Sequence, residues 1–120
     1  MAKIIAPVRG EVYLVNFDPT VGSEIRKTRP ALIIQNDIAN EHSPVTIVAA
    51  ITSKFDETLY PTEVEIVAGE AGLKKNSVVL LNQIRSIDCQ RLTKKIGKVE
   101  VSTLKKIDFA VKISLGLIEL

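Results

Sequence analysis

The chain has 120 residues, 46% of them apolar and 25% charged, with a formal net charge of +2. That is enough chain to bury one hydrophobic core without staples, and the composition excludes a disordered polymer. The charge is too small to declare a nucleic-acid binder by itself, and the longest strictly apolar run, Ile47-Val48-Ala49-Ala50-Ile51, is far too short to cross a bilayer.

From the N-terminus, Met1–Val8 lacks the apolar h-region of a signal peptide, so the expectation is one domain over residues 1–120, cytoplasmic and without membrane association. Glu11–Phe17 reads as a strand closed by Asp18-Pro19, and Ala31–Gln35 reads as a second strand. Between them runs Gly22-Ser23-Glu24-Ile25-Arg26-Lys27-Thr28-Arg29-Pro30, a loop with three cations and one carboxylate. Charged loops on rigid scaffolds are a usual place for binding and catalysis, although charged turns also occur on inert proteins. Further strands are expected at Val45–Thr52, Glu63–Ile66, Ser77–Leu81 and Gln83–Asp88, all rich in Val and Ile. Val45–Ile51 is nearly all apolar and should be central and covered on both faces, whereas Glu63-Val64-Glu65-Ile66 alternates and should have one wet face. A short helical turn is expected over Ser53–Thr58, ended by Pro61. Leu104, Ile107, Val111, Leu115 and Ile118 recur at spacings of three, four, four and three, an amphipathic helix with Ser102 or Thr103 as cap and Gly116 loosening its last turn. Together these elements predict a small, mostly antiparallel, strongly curved sheet closed by a C-terminal helix.

Chemistry is limited by what the chain lacks. Cys89 is the only cysteine and His42 the only histidine, which supports neither a disulfide framework nor a zinc site, and no metal or cofactor is expected. Cys89, between Asp88 and Gln90, reads as a passive thiol. Arg85, Arg91, Lys94, Lys95 and Lys98 lie close in sequence against one acid, Asp88. With Arg26, Lys27 and Arg29 they make either one phosphate-binding surface or, for Lys94–Lys98, a lysine-rich edge that discourages sheet-to-sheet aggregation. Thr52 and Ser53 sit at the mouth of the central strand, where hydroxyls can bond a phosphate oxygen or a sugar. Threonine is also an ordinary strand former.

The segments Gly10-Glu11-Val12, Phe17-Asp18-Pro19, Gly22-Ser23-Glu24, Arg29-Pro30, Gln35-Asn36-Asp37, Ala50-Ile51-Thr52-Ser53, Tyr60-Pro61-Thr62, Leu80–Asp88 and Arg91-Leu92 resemble the MazF/PemK family of toxin ribonucleases. The match runs in one register from about Gly10 to Leu117. The resemblance implies a mainly β (α+β) fold, an SH3-like curved antiparallel barrel with a C-terminal helix, as in the CcdB/MazF/PemK-like plasmid-maintenance toxins. It also implies a homodimer that cuts single-stranded RNA (mRNA) without a metal and is silenced by a MazE-like antitoxin.

Such cleavage uses the neighbouring 2′-hydroxyl as nucleophile and leaves a 2′,3′-cyclic phosphate and a 5′-hydroxyl. It needs a proton acceptor, a proton donor and positive charge against the phosphorane. The family gives the central catalytic role to the arginine matching Arg29, assisted by the threonine matching Thr52. A guanidinium grips phosphate with two prongs but stays protonated near neutral pH, so Glu24 stands beside Arg29 as the other candidate proton acceptor. Ser23, Arg26, Lys27, Ser53, Pro61, Asn82, Gln83 and Arg85 are the implied substrate contacts. Ile25-Arg26-Lys27 departs from the Gln and small residues usual in the family, and Asn82 stands where an acid is common. Both departures fall where bases would be read. Two alternatives remain: a CcdB-like gyrase-binding toxin of the same fold, and a non-catalytic RNA-binding barrel. The latter would stack bases on aromatics, of which the chain has Tyr13, Phe17, Phe55, Tyr60 and Phe109.

Overall fold

A computed structural model describes residues 6–24 and 27–119. Six strands, β1 (Glu11–Asn16), β2 (Thr28–Ile33), β3 (Val45–Thr52), β4 (Glu63–Ile66), β5 (Ser77–Asp88) and β6 (Leu92–Lys98), form one sheet in the order β4-β5-β3-β2-β1-β6. All neighbouring strands are antiparallel. Two helices, α1 (Asp37–His42) and α2 (Val101–Ser114), and two 3-10 turns, Glu70–Gly72 and Cys89–Arg91, complete the elements among the described residues. The expected fold class, a curved antiparallel sheet with a C-terminal helix, is borne out.

β3 lies inside the sheet with apolar residues on both faces, as its sequence predicts. Val48 and Ala50 pack with Val15, Phe17, Ala31, Ile33 and Ile87. Ala49 and Ile51, on the opposite face by strand alternation, pack with Val12, Leu32, Ile66, Leu81 and Ile107 of α2. In β4, Val64 and Ile66 are buried while Glu65 is exposed, giving the wet face expected.

Other expectations need correction. Ser77–Asp88 is one strand rather than two. Residues 53–58 form no helix; the early helix is α1, which Asn36 starts by accepting the N–H of Ala39 at 2.8 Å. The buried Asn40 amide ties α1 to the sheet, accepting from Thr46 Oγ1 at 2.8 Å and from Gln35 Nε2 at 2.9 Å. β2 begins at Thr28, so Arg29 stands on a strand rather than in the loop. β6 covers the lysine-rich run; it is an edge strand held by pairing with β1 rather than by strand propensity.

α2 has no side-chain cap of its own. Instead Glu70 reaches over and accepts from the N–H of Glu100 at 3.1 Å and from Thr103 Oγ1 at 2.7 Å, so its charge also faces the positive helix end. Gly116 stops the helix rather than loosening it. Its φ of +72° allows a left-handed turn in which Leu117 N–H donates to Lys112 O at 2.8 Å and Gly116 N–H to Ile113 O at 3.1 Å. The stop turns Leu115 out of the predicted buried stripe, leaving it 60% exposed. Near the other end of α2, the Glu70–Gly72 turn seats against β6. A Cβ on Gly72 would overlap the Ile96 carbonyl oxygen, and one on Gly97 would overlap the Ala71 backbone. Among the described residues no helix is long and apolar enough to cross a membrane.

Candidate active site

β2 pairs with β3 through Ala31↔Ala50, Leu32↔Ala49 and Ile33↔Val48. Continued outward by two residues, that register sets Arg29 opposite Thr52. Because side chains alternate, both lie on the face of Ala31 and Ala50. On its other flank Arg29 pairs with Val15 of β1. The two residues are partly buried, which leaves them reachable while holding their backbones in the ladder. Thr52 Oγ1 accepts the N–H of Lys54 at 3.1 Å and donates to its carbonyl at 3.3 Å, so a tight turn orients the hydroxyl where β3 ends.

Next to this pair a pocket of about 170 Å³ is lined by Phe17, Glu24, Ala50, Asn82, Gln83 and Arg85. An irregularity in β5 builds one wall. Its pairing with β3 steps from Ala49↔Ile84 to Ala50↔Leu80, which inserts Leu81, Asn82 and Gln83 into the ladder. Leu81 turns into the core, Asn82 is exposed and Gln83 is half-buried. Bulges commonly re-aim side chains beside functional sites, and this one delivers two amides to the pocket.

The β1–β2 loop supplies the opposite wall. Its base is closed by Phe17 N–H donating to Lys27 O at 3.0 Å and by Lys27 N–H donating to Asp18 Oδ1 at 3.1 Å. Glu24 Oε1 accepts the N–H of Val21 at 2.6 Å, which bends the loop locally while Glu24 stays exposed at the pocket. Arg85 lies 6.0 Å from the Phe17 ring centroid and donates to Phe17 O at 2.7 Å.

Residues 8–115 match the family described as PemK-like, MazF-like toxin of type II toxin-antitoxin system. The chain belongs to that family. It is 50% identical over 111 residues to Endoribonuclease EndoA of Bacillus subtilis (strain 168), covering 92% of this chain and 96% of that protein. The crystal structure of MazF (Form-I) from Deinococcus radiodurans superposes with a TM-score of 0.80 at 26% identity, covering 93% of this chain and 98% of that one. An endoribonuclease in complex with its cognate antitoxin from Mycobacterial species gives a TM-score of 0.78 at 25% identity, covering 96% and 100%.

In this toxin the residues singled out by sequence are distributed unevenly. Glu24, Asn82, Gln83 and Arg85 share the pocket, and Arg29 and Thr52 stand beside its Ala50 floor. Ser23 is exposed just before Glu24, and Ser53 just after Thr52. Lys27 is exposed at the loop base with a left-handed φ of 69°. Pro61 instead lines a separate depression with Val67, Lys105 and Phe109. Arg26 and its neighbour Ile25 lie outside the described residues.

Of the two readings of the cations, Lys94–Lys98 takes the lysine-rich edge, since β6 is an edge strand, and other cations are engaged by the chain itself. Arg85 and Arg91 donate to backbone carbonyls, and Lys95 Nζ pairs with the buried Glu11 carboxylate at 2.5 Å. The sequence reading named Phe17 only as a base-stacking aromatic and Arg91 only as a phosphate-binding cation. Phe17 is 2% exposed and lines the pocket, and Arg91 donates to the carbonyls of Asn16 and Asp18. Phe17-Asp18-Pro19 and Arg91-Leu92 stand among the family-like segments, but no pattern announces which ring lines a pocket or which acceptor a guanidinium will find. Cys89 is buried, and its thiol is pushed up first by that burial and then by the Asp88 charge, the reverse of what an activated nucleophile needs. Among the described residues no three His, Cys, Asp or Glu side chains group as metal ligands.

Proposed function

We propose that this toxin is an endoribonuclease that cuts single-stranded RNA, mRNA included, by attack of the adjacent 2′-hydroxyl on phosphorus. Arg29 grips the phosphate and opposes the charge of the phosphorane, and Thr52 turns its one hydroxyl proton from the Lys54 carbonyl to a phosphate oxygen. Glu24 is the carboxylate within the same site that can accept the nucleophile's proton. As the 2′-oxygen bonds to phosphorus the P–O5′ bond breaks, and the leaving oxygen takes a proton from water. The carrying observation is the register that sets Arg29 opposite Thr52 at the rim of the pocket holding Glu24. An internal nucleophile needs no metal-activated water, and Arg29 supplies the cation, so the reaction proceeds without divalent metal or cofactor. Ser23, Arg26, Lys27, Ser53 and Arg85 contact the strand, with Asn82 and Gln83 facing its bases. Pro61, set in its own depression, contacts RNA only beyond the cleavage centre.

The chain works as a homodimer in the cytoplasm and is silenced by a MazE-like antitoxin. Exposed Val67, Phe109 and Leu117 support pairing, since one helix leaves apolar surface uncovered. Interfaces of this obligate kind bury about 2,000 Å² or more.

One observation favours a second reading. Leu115 and Leu117 stand exposed after the last turn of α2, where a gyrase-binding toxin of this fold would make its contacts. The Arg29–Thr52 arrangement and the endoribonuclease names of the relatives rank it second. A long RNA of known sequence, incubated with purified protein and EDTA and mapped at its new 5′ ends, decides between them. Defined cuts with 5′-hydroxyl and 2′,3′-cyclic phosphate ends are expected. Loss of cleavage with EDTA or 5′-phosphate ends would refute the mechanism, and intact RNA with inhibited gyrase supercoiling would establish the second reading.

A further inference from the structure

The β1–β6 ladder ends at Val15↔Leu92, the first residue of β6. β1 runs on by one residue, to Asn16, and the chain after it carries the carbonyls of Phe17 and Asp18 past the end of β6 as well. Arg91, the residue just before β6, meets them with its side chain: one guanidinium nitrogen donates to Asn16 O at 2.9 Å and to Asp18 O at 2.5 Å. Arg85 takes the carbonyl between, Phe17 O, at 2.7 Å. Two guanidinium groups thus hold three successive carbonyls, at the point where the loop bearing Ser23 and Glu24 leaves the sheet.

The mount for Arg91 is firm. It belongs to the Cys89–Arg91 turn, whose start is capped by Asp88 Oδ1 accepting from Gln90 N–H at 2.8 Å. Cys89 N–H is anchored to Pro44 O at 2.8 Å, ahead of β3. That one guanidinium nitrogen carries two N–H donors, one for each carbonyl, and charge-assisted bonds to carbonyls are stronger than neutral ones.

We infer that Arg91 is a positioning residue: by extending the sheet with its side chain it fixes the base of the active-site loop, and through it the placement of Glu24 opposite Asn82 and Gln83. Arg91 lines no part of the pocket, whereas Arg85 does both, gripping Phe17 O and facing the pocket. The catalytic half of this inference rests on the ribonuclease reading above; the structural half does not. Arg29 stays in β2 whatever the loop does, so RNA is still gripped when the clamp is lost, but the groups around the reacting phosphate fall out of alignment. Misplacement of about 1 Å can cost as much as ~100-fold in rate.

The test uses Arg91→Ala, and Arg91→Lys should the alanine variant fold poorly. In the absence of RNA, hydrogen exchange at the Phe17 and Lys27 amides, which close the loop base, should speed up at least about tenfold while β3 amides keep their protection. Single-turnover cleavage at saturating RNA should fall roughly ten- to a hundredfold. The slope of log affinity against log salt should hold, because no phosphate contact is removed. Arg91→Lys keeps a charged nitrogen with enough donors for both carbonyls but on a shorter, unbranched stem, so it should lie between wild type and alanine. Unchanged exchange at Phe17 and Lys27 would overturn the inference. So would a salt slope flattened by ~0.7 with the saturated rate intact, which would make Arg91 a phosphate contact. Should wild-type protein cut no RNA, the ribonuclease reading fails while the exchange measurement still judges the clamp.

Discussion

The corner where the Glu70–Gly72 turn meets β6 and the pocket end of β2 and β3 use polar groups and backbone in opposite ways. At the corner everything is spent internally. The Glu70 carboxylate caps α2, and Gly72 and Gly97 leave no room for a Cβ between two backbones. At the pocket the ladder carries more than it needs to hold together: an insertion in β5, an exposed Asn82, and Arg29 and Thr52 at strand ends within reach of solvent. On the function proposed above, stability and chemistry are housed in different places, and substitutions should sort by which place they strike.

The largest effect should come from the corner. Gly72→Ala forces a side chain into a backbone with φ +76° and against the Ile96 carbonyl. Left-handed strain of about 1–2 kcal/mol and overpacking of about 1–3 kcal/mol together predict a loss of roughly 3 kcal/mol in stability. The denaturation midpoint should drop, with cleavage per folded molecule unchanged. An unaltered midpoint would show that the corner is not rigid and would dissolve the contrast.

Arg29→Ala should do the reverse: the midpoint holds, and single-turnover cleavage falls about a hundredfold or more, as for removal of one preorganised transition-state donor. Thr52→Ala should cost less, on the order of tenfold, because a neutral hydroxyl contributes less than a cation. Wild-type rates in both variants would discard this site, and a matching fall in the midpoint would mean that the pocket end also carries stability.

The same contrast explains what could be read in the chain beforehand. Elements that obey their own periodicity were legible: apolar β3, alternating β4 and the stripe Leu104–Ile107–Val111. Elements made by distant partners were not. β6 exists because β1 pairs with lysines that have little strand preference, and the cap of α2 comes from Glu70 rather than from Ser102 or Thr103. α1 was overlooked although Asn36 is a good cap, because six residues are too few to show a helical period. At the site, the roles of Arg29 and Thr52 came from family resemblance and that of Glu24 from the chemistry of a carboxylate beside a guanidinium. The placement of Arg29 opposite Thr52 depended on β2 reaching back to Thr28, which the Arg-Pro pair obscured. The roles of Arg85 and Arg91 toward carbonyls have no sequence signature at all.

The finest test concerns the loop Gly22–Thr28, which carries Ile25-Arg26-Lys27. Lys27 is exposed, its N–H is already taken by Asp18, and its left-handed φ of 69° is one that glycine adopts without strain. Replacing Arg26 and Lys27 by glycine should therefore leave the loop base intact. Each phosphate contact steepens the salt dependence of single-strand binding by ~0.7, so removing both cations should flatten the slope by about one unit or more. Cleavage at saturating RNA should persist, since Arg29 remains in β2. The measurement is affinity for a fixed RNA across a salt series, read for both proteins at equal temperature and pH. A slope unchanged within error would mean that these side chains face solvent or the antitoxin rather than phosphate. Base selection would then rest on the β5 insertion alone, with the Asn82 and Gln83 amides reading the strand from the pocket wall.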